Sequence, residues 1–276
     1  MPRSAQTALS GADAYHDAMT FCLGMKCCEG LLAIADTRIT SGTELSQAKK
    51  ISIHTYEQHS MFILTSGLRS VRDKAITYFE ERLEAESDSF TKMYQAANAL
   101  AEEIRRVRRE DGEWLAGDGL SFDLHCIFGG QLKDDTEARL YLIYPEGNWV
   151  EVREATPYVI IGESRYGKPI LDRVWDYEQG LFDALRVGLL SFDATRTSAS
   201  DVDYPVDAVL YEPGTFNMRE VRLTREDLTP LQEYWQGAMQ EAVRGAEPSV
   251  AHLFDRLHTT SPAHTHFGDS DMGAAV

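Results

Sequence analysis

The stretch Thr20-Phe21-Cys22-Leu23-Gly24-Met25-Lys26 decides the fold, and it lies directly behind Met19. Its largely apolar residues predict the first strand of an antiparallel sheet. Cys27-Cys28-Glu29-Gly30 predicts a tight turn, after which Leu31–Asp36 returns as the second strand. This pairing is expected to place Asp36 close to Thr20, at the start of the first strand.

Two more strands are expected in the same sheet. Lys49–His54 alternates polar and apolar residues, and Met61–Thr65 is a continuous apolar run. The third strand is expected to bring Lys50 into the sheet beside Thr20. Gly67 follows the fourth strand, where the absence of a Cβ would let a substrate carbonyl approach its backbone N–H as an oxyanion donor.

These residue types suit an N-terminal nucleophile. A threonine hydroxyl is protonated near neutral pH and needs a base within hydrogen-bond reach. If everything up to Met19 were removed, the freed α-amine of Thr20, which titrates at about 7.7–8.0, could be that base. Lys50 would stabilise negative charge and Asp36 would orient Lys50. An ordinary structural ion pair between Asp36 and Lys50 is the alternative, and the spacing from Thr20 favours the catalytic interpretation.

The rest of the chain predicts a second sheet and covering helices. Two adjacent helices, at 69–86 and 91–110, are expected to cover the first sheet. Strands at 123–128, 138–144, 149–152 and 158–161 would build the second sheet, with helices at 168–175 and 179–191 on its outer face. The expected closing strands are 206–211 and 217–222, and the last helix is expected at 230–244.

Composition excludes several partner classes. With 27 basic and 44 acidic residues the net charge is −17, which makes nucleic acid an unexpected partner. No run of about 18 apolar residues occurs, so no membrane span is expected. The histidines of the C-terminal region match no ligand spacing, so neither a metal nor a cofactor is expected. The four cysteines form no disulfide framework, as expected for a cytoplasmic protein: Cys22, Cys27, Cys28 and Cys126.

Several motifs occur in the order found in one family. Asp36-Thr37-Arg38 and Lys49-Lys50-Ile51 resemble the catalytic segments of proteasome-type β subunits, which are N-terminal-nucleophile hydrolases. A more specific resemblance, to the bacterial Anbu group of ancestral-β-subunit homologues, rests on three further runs: Phe128–Gln131, Leu140–Asn148 and Gly162–Asp172. The resemblance extends over about Met19 to Arg244. It implies an α+β, four-layer αββα sandwich of two antiparallel sheets flanked by helices, with self-assembly and threonine-type amide hydrolysis.

Most of the family's site residues have a match in this sequence, but one element of the family pattern does not. Thr20, Asp36 and Lys50 match catalytic positions, and Ser164 matches a supporting serine eight residues before an aspartate, here Asp172. The family also has an Arg-Asp-x-x-Ser-Gly element, which Thr195–Val202 does not reproduce. The best alignment places Ala199 at the acidic position.

Three segments are expected: a leader at 1–19, a proteasome-like domain at 20–246, and a flexible tail at 247–276. Anbu-like chains typically begin Met-Thr, whereas in this sequence Met1 to Ala18 precede Met19-Thr20. Two positions are therefore candidates for the first residue of the protein. Met19 could be the true start, trimmed by methionine removal, or Met1 could start a propeptide that is cut autocatalytically. The first is favoured, because Met19-Thr20 is an ordinary start for an exposed N-terminal threonine.

The favoured function is a self-assembling threonine hydrolase that cleaves peptide or other amide bonds, with Thr20 as nucleophile, its amine as base and Gly67 as oxyanion donor. One alternative is a catalytically weak or inactive proteasome-like scaffold, which the alanine at position 199 favours. Another is a small-amide amidase paired with a ligase, since the resemblance implies ligase-like operon neighbours. The expected homo-oligomer is a ring or an open spiral.

Overall fold

The computed structural model describes residues 20–41, 44–86 and 89–260. The expected leader and the end of the expected tail lie outside the described residues. The described part contains twelve strands and six helices, in the order β1 Phe21–Cys27, β2 Gly30–Asp36, β3 Arg38–Ser41, β4 Glu44–Gln47, β5 Ile51–Tyr56, β6 His59–Gly67, α1 Arg69–Glu86, α2 Met93–Gly117, β7 Leu124–Gln131, β8 Arg139–Ile143, β9 Trp149–Glu151, β10 Tyr158–Gly162, α3 Lys168–Val174, α4 Leu181–Ser198, β11 Val206–Tyr211, β12 Met218–Leu223, α5 Arg225–Gly245 and α6 Glu247–Thr259.

Ten of the twelve described strands form two antiparallel five-stranded sheets, and β3 and β4 form a separate pair. The first has the order β10-β1-β2-β11-β12, and the second has the order β5-β6-β7-β8-β9. The expected assignment of strands to sheets was therefore wrong. β5 and β6 belong with β7 to β9, while β10 pairs with β1, Phe21 lying opposite Gly162. Strand periodicity reports burial but carries no information about which distant strand is the partner.

Four layers result, which confirms the predicted αββα sandwich. Helices α1 and α2 pack on the second sheet through a core that includes Phe79, Leu100 and Phe128. The two sheets pack on each other through a second core, which includes Cys22, Phe62 and Ile127. Helix α4 covers the other face of the first sheet. Helices α1 and α2 thus cover the sheet of β5 to β9, and not the sheet of β1 and β2 as expected.

The first strand is central to this sandwich, and all seven of its residues are buried. Its alternate side chains face opposite layers. Phe21 lies against Phe192 of α4, with ring centroids 6.0 Å apart. On the opposite face, a Cβ added at Gly24 would lie 2.7 Å from a methyl carbon of Ile127, so glycine allows the second sheet to approach. Burial on both faces explains why this stretch reads as an almost continuous apolar run.

Two elements were not expected from the sequence. A short hairpin, β3 paired with β4, occupies the stretch between Asp36 and Lys50. The segment from Glu247, expected to be loosely ordered, forms helix α6. Pro248 lies in the first turn of that helix, where its missing N–H costs no intrahelical bond. The described residues from Thr20 to Thr229 form one compact unit, and the described residues from Pro230 to Thr260 form a second unit, which is helical.

Candidate active site

One carboxylate oxygen organises the candidate site. Oδ1 of Asp36 accepts a hydrogen bond from the Thr20 hydroxyl at 2.8 Å and one from the Phe21 N–H at 2.8 Å. It also accepts one from Lys50 Nζ at 2.7 Å. The second oxygen, Oδ2, accepts from the Arg38 N–H at 3.2 Å. Three of the five residues that the sequence singled out for catalysis are therefore joined directly, with Asp36 between Thr20 and Lys50.

The fold explains how these side chains meet. Cys22 pairs with Ala35 in the β1–β2 ladder, so Asp36 at the end of β2 lies beside the start of β1. Lys50 does not enter this sheet, which corrects the expected position. It directly precedes β5, the edge strand of the second sheet, and its side chain reaches Asp36 on the first sheet. The ion pair therefore connects the two sheets.

Burial dominates the electrostatics of this pair. The side chains of Lys50 and Asp36 are only 6% and 0% exposed. Burial raises the pKa of Asp36 above its usual range, while the Lys50 ammonium, the Phe21 N–H and the Thr20 hydroxyl oppose that rise. Without Lys50 the carboxylate would be an unpaired buried charge, which is costly in a protein interior.

The backbone of Thr20 is held by Gly162 and Glu163, at the end of β10. In the sequence these two residues stood out only as part of the Gly162–Asp172 motif. The Glu163 N–H donates to the Thr20 carbonyl at 2.7 Å. Gly162 has a φ of +81°, and a Cβ there would lie 2.0 Å from the Thr20 carbonyl oxygen. Only glycine fits this contact. Gly162 and Glu163 therefore position Thr20 through its main chain.

Gly67 is the last residue of β6, two residues after Thr65. The Thr65 N–H donates to Lys50 O and the Leu68 N–H donates to Asp123 O. Because successive N–H groups of a strand point to opposite sides, the Gly67 N–H points to the side where Lys50 enters. The oxyanion role of Gly67 stays a prediction, and the structure gives a separate reason for glycine at this position. A Cβ at Gly67 would lie 2.3 Å from the Asp123 carbonyl oxygen, so glycine is required by the neighbouring strand.

Ser164 and Ala199 contribute less than the central residues. Ser164 is half-buried, and none of the hydrogen bonds described for this part of the chain joins its hydroxyl to Thr20. Its supporting role stays a prediction. Ala199 is the buried C-cap of α4 and supplies no carboxylate. Asp203, which the sequence analysis missed, instead accepts a bond from Arg38 at 3.3 Å. No spacing from Thr20 could have revealed that contact.

Cys22 lies beside the nucleophile candidate. Its Sγ is 3.9 Å from the Thr20 hydroxyl oxygen and 3.7 Å from the Thr65 carbonyl oxygen. Burial raises the pKa of this thiol to about 12, since desolvation outweighs the nearby Lys50 ammonium. A thiol that stays protonated is a poor nucleophile. Cys22 is therefore a packing residue in the core between the sheets.

The described residues contain no group of three or more His, Cys, Asp or Glu side chains arranged to hold a metal ion. Among the same residues, no helix combines the length and apolar character needed to cross a bilayer.

The chain is similar to known proteins of one family. The family model described as proteasome subunit matches residues 19–201. No curated protein sequence is significantly similar to the chain. Among solved structures, a Gly-1 mutant of Anbu from Hyphomicrobium sp. strain MC1 is 34% identical, with a TM-score of 0.76 over 83% of this chain and 99% of that chain.

Two further solved structures are similar over most of their length. Anbu (ancestral beta-subunit) from Yersinia bercovieri is 28% identical, with a TM-score of 0.75 over 82% of this chain and 97% of that chain. The helical assembly of the Anbu complex from Pseudomonas aeruginosa is 27% identical, with a TM-score of 0.74 over 90% of this chain and 100% of that chain. The chain therefore belongs to the proteasome subunit family, as a member of its Anbu group.

Proposed function

We propose that this protein is an N-terminal threonine hydrolase that cleaves peptide or other amide bonds. The observation that carries the proposal is the hydrogen bonding of Thr20, Lys50 and the Phe21 N–H to one oxygen of Asp36, all at 2.7–2.8 Å. Membership of the proteasome subunit family supports the same reaction class.

The proposed reaction begins when the residues up to Met19 are removed. The freed α-amine of Thr20 accepts the proton of its own hydroxyl, and Oγ1 attacks the substrate carbonyl carbon. The Lys50 ammonium stabilises the developing negative charge on Oγ1, and Asp36 orients Lys50. The backbone N–H of Gly67 donates to the oxyanion. The amine then protonates the leaving nitrogen, and water releases the acyl group from Thr20.

Ser164 completes the proposed set of site residues as a supporting group for the Thr20 amine. In the best alignment Ala199 takes the acidic position of the family element, so we expect this amine to have fewer partners than in the family pattern. That difference, together with the 4% exposure of Thr20, favours a second candidate function, a catalytically weak or inactive scaffold. A small-amide amidase acting with a ligase-like partner is the third candidate.

Self-assembly is part of the proposal. The relative from Pseudomonas aeruginosa forms a helical assembly, and its whole chain aligns with this one. We expect copies of this chain to associate in the same general way, as an open spiral or a closed ring.

The test compares chains that begin at Met1 and at Met19. Intact mass identifies the first residue after expression, and fluorogenic peptide amides and small aryl amides report turnover. We expect turnover only from chains that begin at Thr20, and a loss of about 10³-fold or more in Thr20→Ala with unchanged particle size. Retained hydrolysis in Thr20→Ala would refute the threonine mechanism. A chain that begins at Thr20 and turns over neither substrate class would support the scaffold, and turnover of small amides alone would support the amidase.

A further inference from the structure

One buried carboxylate beside Thr20 has no part in the proposed reaction. Glu163 follows Gly162 at the end of β10, and its side chain is only 2% exposed. Its backbone N–H donates to the Thr20 carbonyl oxygen at 2.7 Å, so the two main chains lie side by side. A glutamate side chain is long enough to span the spacing between neighbouring strands. The main chain therefore places this carboxylate within reach of the Thr20 nitrogen.

Arg165 pairs with the Glu163 carboxylate from the solvent side. Oε1 of Glu163 accepts from the Arg165 N–H at 2.9 Å and from its Nε at 3.0 Å, and Oε2 accepts from Nη2 at 2.5 Å. These bonds hold the pKa of Glu163 below its usual range, so the carboxylate is charged at neutral pH. The Arg165 side chain is 70% exposed. Because water and salt screen an exposed charge more than a buried one, the negative charge dominates inside the site.

The freed α-amine of Thr20 has a need that this charge would meet. In the best alignment Ala199 takes the acidic position of the family element, and its side chain supplies no carboxylate. The Lys50 ammonium lies close by, at 2.7 Å from Asp36, and a neighbouring positive charge makes an amine a weaker base. Asp36 is already paired with Lys50. A second carboxylate would offset this effect.

The other charged groups of the elements around this end of β1 and β10 have described partners of their own. Lys50 pairs with Asp36, Arg38 with Asp203, Arg72 with Asp73, and His125 with Asp123. A substitution of Glu163 leaves all of these side chains in place. Their effect on the amine is therefore common to all the chains compared below.

We propose that the buried carboxylate of Glu163 is the acidic partner of the Thr20 α-amine, in place of the carboxylate that position 199 lacks. Its negative charge stabilises the ammonium form, which makes the amine a stronger base than it would be beside Lys50 alone. Glu163 is thus a positioning residue, since it acts through the amine. The inference rests on the proposed function, because the free amine exists only in a chain that begins at Thr20.

The test measures the pKa of this amine without any substrate. A chain that begins at Thr20 is released from a ubiquitin-like fusion partner by the protease of that partner, and intact mass verifies the first residue. Acetic anhydride then labels the chain at several values between about pH 5 and pH 10, and only the unprotonated amine reacts. Mass spectrometry of the N-terminal peptide gives the extent of labelling, and its pH profile gives the pKa.

Two substitutions of Glu163 separate charge from shape. Glu163→Gln removes the charge and keeps an oxygen that can accept from the Arg165 N–H. Glu163→Asp keeps the charge. We expect Glu163→Gln to lower the pKa of the Thr20 amine by about 0.5 unit or more, and Glu163→Asp to stay within about 0.2 unit of the unchanged chain.

Glu212→Gln is the matched control. Glu212 also pairs with an arginine, Arg219, at 3.3 Å. It follows Tyr211 at the far end of β11, whereas Val206 at the other end of that strand pairs with Asp36. Because the control carboxylate is at the opposite end of the first sheet, Glu212→Gln should leave the pKa of the amine within about 0.2 unit.

Equal amine pKa values in Glu163→Gln and Glu212→Gln would overturn the proposal. If circular dichroism shows that Glu163→Gln does not fold, Arg165→Met takes its place. Loss of the guanidinium leaves the Glu163 charge less neutralised, so the amine pKa should rise by about 0.3 unit or more, and an unchanged value would equally overturn the proposal.

Turnover is a separate readout. In an active chain, Glu163→Gln should move the acidic limb of the kcat/KM profile to lower pH together with the amine pKa. The expected pKa shift in a chain that hydrolyses no substrate would support this role of Glu163 while favouring the scaffold over the hydrolase. An active chain whose amine pKa is the same in Glu163→Gln would support the hydrolase and overturn the role of Glu163.

Discussion

Lys49 and Lys50 allow a direct test of what burial does to the site. Each lysine places its Nζ 2.7 Å from a carboxylate oxygen, Lys50 from Asp36 and Lys49 from Glu220. The two pairs differ in exposure. The side chains of Lys49 and Glu220 are 46% and 31% exposed, whereas those of Lys50 and Asp36 are 6% and 0% exposed. Substituting each lysine by methionine keeps the aliphatic stem and removes the charge.

The two substitutions are expected to have very different costs. Lys50→Met leaves a buried carboxylate without its cation, which costs about 3–5 kcal/mol of unfolding free energy. Lys49→Met breaks an exposed pair, which is worth about 0–1 kcal/mol. With a urea m-value of about 3 kcal/mol/M, Lys50→Met should lower the unfolding midpoint by about 1 M or more, and Lys49→Met by at most about 0.3 M.

The pH dependence checks the cause of this difference. Burial already raises the pKa of Asp36, and removing Lys50 removes the largest opposing influence, so this pKa rises further in Lys50→Met. A carboxyl whose pKa is higher in the folded state than in the unfolded state destabilises the fold as the pH rises above the unfolded value. The cost of Lys50→Met relative to Lys49→Met should therefore be largest at neutral pH and shrink as the pH falls towards about 4.

Urea unfolding at one protein concentration, monitored by circular dichroism at several pH values, measures both effects. The double substitution Lys50→Met/Asp36→Asn should cost less than the sum of the two single substitutions, because it leaves no buried charge unpaired. Equal midpoints for Lys49→Met and Lys50→Met at neutral pH would refute the reasoning. A cost that does not change with pH would refute the assignment to Asp36.

Two other predictions test the surroundings of the site. Gly162→Ala should destabilise the fold by more than about 2 kcal/mol in thermal or urea unfolding, since the added Cβ would lie 2.0 Å from the Thr20 carbonyl oxygen. Gly214 has a similar φ with open space around it, so the control Gly214→Ala should cost only about 1 kcal/mol. In the native protein a disulfide reagent at pH 8 should label the exposed Cys28 at least about 100-fold faster than the buried Cys22, because the Cys22 pKa of about 12 leaves almost no thiolate. Mass spectrometry of the labelled peptides measures both rates, and equal rates would contradict the buried position of Cys22.

The sequence predicted local structure better than it predicted strand partners. The ranges of β11 and β12 were expected almost to the residue, because turn residues separate two runs of strand-forming residues. The membership of β5 in the second sheet was not predicted. Its residues alternate in the same way whichever sheet they join, and the intervening β3–β4 hairpin has no strong apolar pattern.

The sequence predicted the proximity of those site residues whose type is set by the chemistry of the proposed reaction. It missed a residue whose type is set only by the space available around the backbone. A hydroxyl, a carboxylate and an ammonium at the expected spacings indicated Thr20, Asp36 and Lys50, and the structure places all three in contact. The role of Gly162 was missed because it depends on the close approach of the Thr20 backbone carbonyl, which is distant in sequence and which no local pattern encodes.

The way in which Thr20 is held bears on the proposed processing. In the described structure its hydroxyl is bonded to Asp36, its carbonyl oxygen to the Glu163 N–H, and the following N–H, that of Phe21, to Asp36. All of these atoms lie on the hydroxyl or carbonyl side of Thr20, and none of the hydrogen bonds described at the site uses the Thr20 nitrogen. Cleavage of the bond between Met19 and Thr20 would therefore break none of them. The new amine would form beside a hydroxyl that is already positioned, so these hydrogen bonds need not be rebuilt after processing.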